Sequence, residues 1–395
     1  MIADAWHVLT RHRVRVDPER GSASVVPGAG ERETAVPADW MFCPPLMDLQ
    51  VNGAFGVDLQ DLSLTEADFL ALCRGLAREG VIAWLPTLIT DATDRLKRKA
   101  ALLGGFIRKW PEYPAAEAGA RPLGIHLEGP FISPEDGARG AHPREHVQPA
   151  SVEVFTRIMD ASGGTIRYIT LAPEVPGGLE LIAWLRQRDP GMLIGIGHTL
   201  ADSSIIREAA RAGARICTHL GNGLPARLHR HQNPLWPQLA EDRLYASFIP
   251  DLHHLPADTL MAMIRAKGPA RSLFVSDAVS LAGQPPGTYQ QVGTAVEKRP
   301  DGRVCLAGTA LLAGSGTLLL EGLLRASGAG SMSIEAAWQG GFGVPAELLG
   351  GMGLGVPFSA EGTIRNGILL RRDSQEHGPV RYLPEAVWIQ GCRVR

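Results

Sequence analysis

"MLIGIGHTLADSSIIREAARAGARICTHL", residues 192–220, holds one full structural period of the chain. Residues 192–198 form an apolar run short enough for a buried strand. Residues 201–213 carry apolar side chains at three- and four-residue spacing and stop at Gly213, so they read as an amphipathic helix with a glycine end. Residues 214–220 return to a strand. Both strands end on a histidine, His198 and His219.

The same period repeats on either side. Strand-like runs occupy 41–51, 81–89, 122–128, 166–174, 244–251 and 272–278, which with the two above makes eight. Helical stretches lie between them at 64–80 and 256–268, and another follows at 316–326. Eight strands alternating with helices predict an α/β fold, a (β/α)8 TIM-type barrel spanning 41–356. Residues 1–40 and 357–395 have a different texture, short β-rich pieces with polar turns. They predict a small β-sandwich domain formed by the N- and C-terminal segments together.

Composition supports a large globular core: 395 residues, 45% hydrophobic and 20% charged. The net charge of −2, with no strongly basic segment, argues against nucleic-acid or membrane-surface partners. No apolar run approaches the roughly 20 residues of a membrane span, and "MIADAWHVLT" lacks a secretory pattern. The five cysteines are scattered without a C-x-x-C, which fits a reducing, cytoplasmic setting.

Chemistry in such a barrel sits at the C-terminal ends of the strands. Those ends carry Asp48, Gln50 and Asn52, then His126 and Glu128, His198, His219, Asp251 with His253 and His254, and finally Asp277. A lone histidine at a strand end is more often a hydrogen-bonded packing residue, and a lone aspartate is often a helix cap. Many ionisable groups converging on one mouth are different, because burying them is costly unless they are paired or bind a metal. The expected ligands are Glu128, His198 and His219, with His126 either behind them or packed. Imidazole and carboxylate suit one divalent ion, Zn2+ first, with Fe2+, Mn2+ or Co2+ as alternatives. Asp277 is the expected general base, taking a proton from a water whose pKa the metal lowers.

The stretches "MDLQVNG" (47–53), "LPTLIT" (85–90), "HLEGPF" (126–131), "GAH" (140–142), "LAPE" (171–174), "GHT" (197–199), "THLGNG" (218–223), "DLHH" (251–254) and "SDA" (276–278) follow one another in a specific order. In them the chain resembles the N-acetylglucosamine-6-phosphate deacetylases of the amidohydrolase superfamily. The resemblance implies metal-dependent hydrolysis of the N-acetyl group of an amino sugar, with acetate as a product. It also implies a homodimer and a sandwich domain. It assigns Glu128, His198 and His219 to the metal, Asp277 to water activation and leaving-group protonation, and His254 to polarising the substrate carbonyl. Ala141, His142, Asn222 and Gly223 match substrate contacts. So do Leu306, Ala307 and Gly308 of "CLAG", although "LLAG" (311–314) aligns there equally.

Two further points matter, one a departure from this family and one a contrast with its two-metal relatives. The family's phosphate-binding R-E-P-G is replaced by "LPARLHRHQNPLW" (224–236), where Arg230 or Arg227 stands at the right distance and His229 and His231 crowd in. The second concerns the first strand. Amidohydrolases with two metals carry H-x-H there and a lysine on the fourth strand. Here those positions hold Gln50, Asn52 and a lysine-free "TLAPE", which leaves the second metal site vacant. The leading substrate is N-acetylglucosamine 6-phosphate. The alternatives are another or unphosphorylated N-acyl amino sugar, a cyclic-amidase or deaminase activity, and a non-catalytic scaffold.

Overall fold

The structure is a computed structural model that describes residues 3–17, 19–20, 22–26, 39–291, 294–309, 311–351, 353, 363–373 and 380–395. Eight parallel strands make the barrel. We number them β1 (Leu46–Val51), β2 (Val81–Ile89), β3 (Ile125–Glu128), β4 (Ile166–Leu171), β5 (Leu193–Ile196), β6 (Ile216–Cys217), β7 (Tyr245–Phe248) and β8 (Ser272–Phe274). Helices follow them in turn: α1 (Glu66–Arg78), α2 (Thr93–Lys109), α3 (Val152–Ala161), α4 (Gly178–Arg188), α5 (Ser203–Ala212), α6 (Leu235–Ala240), α7 (Ala257–Lys267) and α8 (Leu319–Gly328). A parallel bridge between Val51 and Ala278 joins the two ends of the sheet.

Local chemistry explains the element ends. Thr65 opens α1 with a reciprocal capping box to Asp68. The Asp202 carboxylate accepts the Ser204 and Ile205 N–H groups at the start of α5, directly downstream of His198. Between β8 and α8 the chain makes an unanticipated excursion, an antiparallel sheet of Gly287–Gln291, Thr294–Lys298 and Val304–Leu306. It has its own small core of Val279, Leu281, Val296 and Val304.

The run expected as one strand over 41–51 is two. Trp40–Cys43 pairs with Ala3–His7 and Gly367–Asp373 in the terminal sheet, whereas Leu46–Val51 enters the barrel. The break is Pro44–Pro45, where neither residue has an N–H for a ladder. The terminal sheet therefore reaches residue 43 and does not end at 40. The expected second boundary, at 357, lies outside the described residues.

Strands from both ends of the chain form this eight-stranded sheet, the small sandwich domain. Its alternation serves two cores. Phe42, Leu369, Ala386 and Trp388 face a private core. Met41, Cys43, Ile368, Leu370, Val387 and Ile389 join the barrel core, as period-two side-chain direction requires. Among the described residues, no helix is long and apolar enough to cross a membrane.

Candidate active site

Glu128 ends β3 and is buried, as are His198 and His219 in the turns after β5 and β6. Glu128 Oε1 lies 3.0 Å from His198 Nε2 and 2.7 Å from His219 Nε2. The three potential ligand atoms all fall within 4.8 Å of one another. Burial opposes the charge on Glu128, but the two imidazoles beside it hold its carboxyl well below the usual range. His198 Nδ1 donates to the Ala138 carbonyl at 2.8 Å, which turns Nε2 inward toward Glu128. A buried carboxylate and two imidazoles aimed at one point fit a divalent cation.

Backbone strain marks the same residues. His198, His219 and Asp277 adopt φ values of 51°, 31° and 49°, in a region rarely populated by side-chain-bearing residues and costly to hold. Each follows its strand closely and is thereby swung toward the mouth. Gly223 is needed nearby. At its φ of 60°, a Cβ would stand 2.8 Å from His198 Nδ1 and press on the His198–Ala138 bond.

Asp277 is clamped from strand β1. Gln50 Nε2 donates to its Oδ1 at 3.0 Å, and Asn52 Nδ2 donates to the same oxygen at 2.7 Å. Burial, and then the Glu128 charge, push the Asp277 carboxyl up to about 6. The amides that replace H-x-H thus face the expected base.

His254 is held in a dyad. Its Nδ1 lies 2.8 Å from Asp251 Oδ2, and Asp251 Oδ1 accepts the backbone N–H groups of His253 and His254. The Ser315 hydroxyl adds a bond to Asp251 Oδ2 at 3.1 Å. Burial raises the Asp251 carboxyl, but its bond to His254 outweighs this and leaves it at about 2. Asp251 was visible in the sequence only as one polar strand end; the D-x-x-H spacing was the signal of its role.

His142 is buried against the Glu128–His198–His219 group, its ring 4.4 Å from that of His198. Its Nδ1 lies 2.8 Å from Thr90 Oγ1 and accepts the Thr90 N–H at 3.4 Å, which leaves Nε2–H to face the site. Thr90 is a supporting residue that the sequence reading passed over. So is Glu174 of "LAPE". It accepts the Thr199 hydroxyl and the Leu200 N–H, and so pins the turn carrying His198. His126 is spent on packing. It lies between the Thr87 and Thr170 hydroxyls and stacks on Tyr168 at 3.8 Å.

The remaining expected contacts fall at different distances from the centre. Asn222 donates to the His219 carbonyl at 3.0 Å, whereas Ala141 is exposed on the loop before His142. Arg227 and Arg230 stand on an exposed loop and make no ion pair among the described residues. Leu306 closes the excursion sheet, with Ala307 and Gly308 in the turn after it. The alternative stretch, 311–314, runs into Ser315, whose N–H donates to the Asp277 carbonyl at 2.9 Å.

A (β/α)8 barrel with a carboxylate at the end of β3, histidines just after β5 and β6 that with it could hold a metal, and an acid after β8 fits a hydrolase of the amidohydrolase class. No family model matches the chain. It is 34% identical over 293 residues to the N-acetylglucosamine-6-phosphate deacetylase of Bacillus subtilis, covering 74% of this chain and 71% of that one. It is 32% identical over 286 residues to the N-acetylgalactosamine-6-phosphate deacetylase of Escherichia coli O157:H7, covering 72% and 71%. A variant of the Mycobacterium smegmatis N-acetyl-D-glucosamine-6-phosphate deacetylase, in complex with N-acetyl-D-glucosamine-6-phosphate, superposes with a TM-score of 0.78 at 25% identity over 98% of this chain and 95% of that one. The chain belongs to the N-acetylglucosamine-6-phosphate deacetylase family.

Proposed function

We propose that this enzyme hydrolyses the N-acetyl group of an amino-sugar 6-phosphate, with N-acetylglucosamine 6-phosphate as its substrate and glucosamine 6-phosphate and acetate as products. The carrying observation is the buried Glu128–His198–His219 group facing a clamped Asp277. Glu128, His198 and His219 would hold one divalent ion, Zn2+ first among Zn2+, Fe2+, Mn2+ and Co2+. Such an ion supplies Lewis-acid polarisation and an acidified water.

The chain's own groups do the rest. Asp277 takes the proton of the attacking water and returns it to the amine nitrogen as the C–N bond breaks. With Nδ1 committed to Asp251, His254 turns Nε2 to the amide oxygen and polarises it. His142 Nε2–H and the turn around Asn222 and Gly223 contact the sugar. Arg230 or Arg227 takes the phosphate, across a homodimer in the cytoplasm, because a guanidinium fork matches phosphate oxygens. A second reading, preference for the galactosamine epimer, is favoured by the Escherichia coli relative.

Acetate release from both N-acetylhexosamine 6-phosphates and both free sugars, with Zn2+ added, tests the proposal. No release from any of them sinks the deacetylase reading. Free sugars turning over as fast as the phosphates would remove the role of the arginines.

A further inference from the structure

We infer that Gln50 and Asn52 are positioning residues for the base. They fix Asp277 Oδ1 so that its other oxygen faces the reacting water. This rests on the deacetylase reading above.

Three observations support it. Both amide N–H groups converge on one oxygen of one carboxylate, at 3.0 and 2.7 Å. An ionised carboxylate only accepts, so the amides must present nitrogen there, and Oδ1 is occupied from two directions. A carboxylate so held keeps one lone-pair-bearing oxygen, Oδ2, free of these two donors.

Second, the amide oxygens gain nothing. Gln50 is 0% and Asn52 7% exposed, and neither Gln50 Oε1 nor Asn52 Oδ1 has a hydrogen-bond partner among the described residues. An orphaned buried acceptor is costly, and an apolar side chain of the same shape would avoid that cost. Two such orphans side by side are accounted for by what the nitrogens do.

Third, the grip includes the backbone. The Gln50 carbonyl accepts the Asp277 N–H at 3.0 Å, and Asn52 N donates to the Ala278 carbonyl at 2.7 Å. Asp48, two residues earlier on the same face, accepts the Ser276 N–H at 3.1 Å. No strand ladder joins β1 to β8, so these bonds lace the barrel seam around Asp277 and hold its φ of 49°. The strand that elsewhere in the superfamily would bring metal ligands here supports the base.

Gln50→Met and Asn52→Leu keep the side-chain shape and remove the donors. Each is expected to lower kcat roughly 10-fold, within the range for outer-shell partners, with KM within about twofold and metal content per chain unchanged. Asn52→Asp puts an oxygen where the donor stands; it is expected to lower kcat likewise and serves if an apolar variant does not fold. Unchanged kcat, or a loss that follows KM or metal content, overturns the inference. If the unsubstituted enzyme releases no acetate from any panel sugar, the deacetylase reading fails separately. The clamp is then decided by thermal unfolding of Gln50→Met in the presence and absence of Asp277→Ala. Unequal Tm shifts in the two backgrounds support the clamp, and equal shifts overturn it.

Discussion

At the scale of single residues, the site works through pairs in which one member never meets the substrate. Asp251 is the clearest case. Its carboxylate sets the protonation pattern of His254 and is itself fixed by two backbone N–H groups and Ser315. Asp251→Asn keeps the shape but lets the amide present either oxygen or nitrogen to Nδ1. The expected result is a fall in kcat of about 10- to 100-fold with little change in metal content, measured by steady-state acetate release and metal analysis. Residue identity was legible here, because Glu128, His198, His219, His254 and Asp277 are all chemistry-bearing types at strand ends. The pairings were not. Asp251 and Asp277 looked alike as strand-end carboxylates, and only contact distances show that one serves a histidine while the other is held by amides.

At the scale of elements, caps and buried histidines decide where stability enters. Asp202 caps α5, the helix leading away from His198. Asp202→Ala is expected to cost about 1 kcal/mol, read as a drop in Tm with secondary structure retained. His7, on the first strand of the terminal sheet, is 2% exposed, and its Nδ1 accepts the Leu9 and Thr10 N–H groups. Burial, reinforced by His12, lowers its pKa from 6.5 to about 4. The folded chain therefore binds this proton less readily than the unfolded chain. The stabilisation is complete above pH 6.5 and is lost as pH falls toward about 4. In His7→Gln, the loss of unfolding free energy over that window should be smaller by up to about 3 kcal/mol, measured by urea titrations at several pH values. Element type in the barrel was legible from period, whereas the antiparallel excursion between β8 and α8 was not. The break at Pro44–Pro45 was also written in the sequence, but a continuous apolar run concealed it.

At the scale of the whole molecule, the loop bearing Arg227 and Arg230 projects from the barrel mouth with exposed Leu228 and Trp236 nearby. The two guanidinium groups have no carboxylate of their own chain within ion-pair distance among the described residues, which fits a role toward an anion at a neighbouring mouth. If so, Arg230→Ala or Arg227→Ala should lower kcat/KM for the phosphorylated sugar by about 10- to 100-fold, the value of a charge-assisted contact. Turnover of the free sugar should be unchanged. Sedimentation of the unsubstituted enzyme should give a dimer, and a monomer that still prefers phosphate would show that the contact is made within one chain.

The sequence by itself determined the barrel, the origin of the small domain in both ends of the chain, and the glutamate and two histidines that could hold a metal. These follow from periodicity and from side-chain chemistry, which are local properties. Tertiary structure alone decided which "LAG" stretch lies beside Asp277 and that Thr90, Glu174 and Asp251 brace the reacting groups. It also decided that Gln50 and Asn52 point their nitrogens at the base. The last depends on residues more than 200 positions apart, Asn52 and Asp277, meeting across the barrel seam. A hydrogen bond forms only within about 3 Å, a distance that spacing along the chain does not encode.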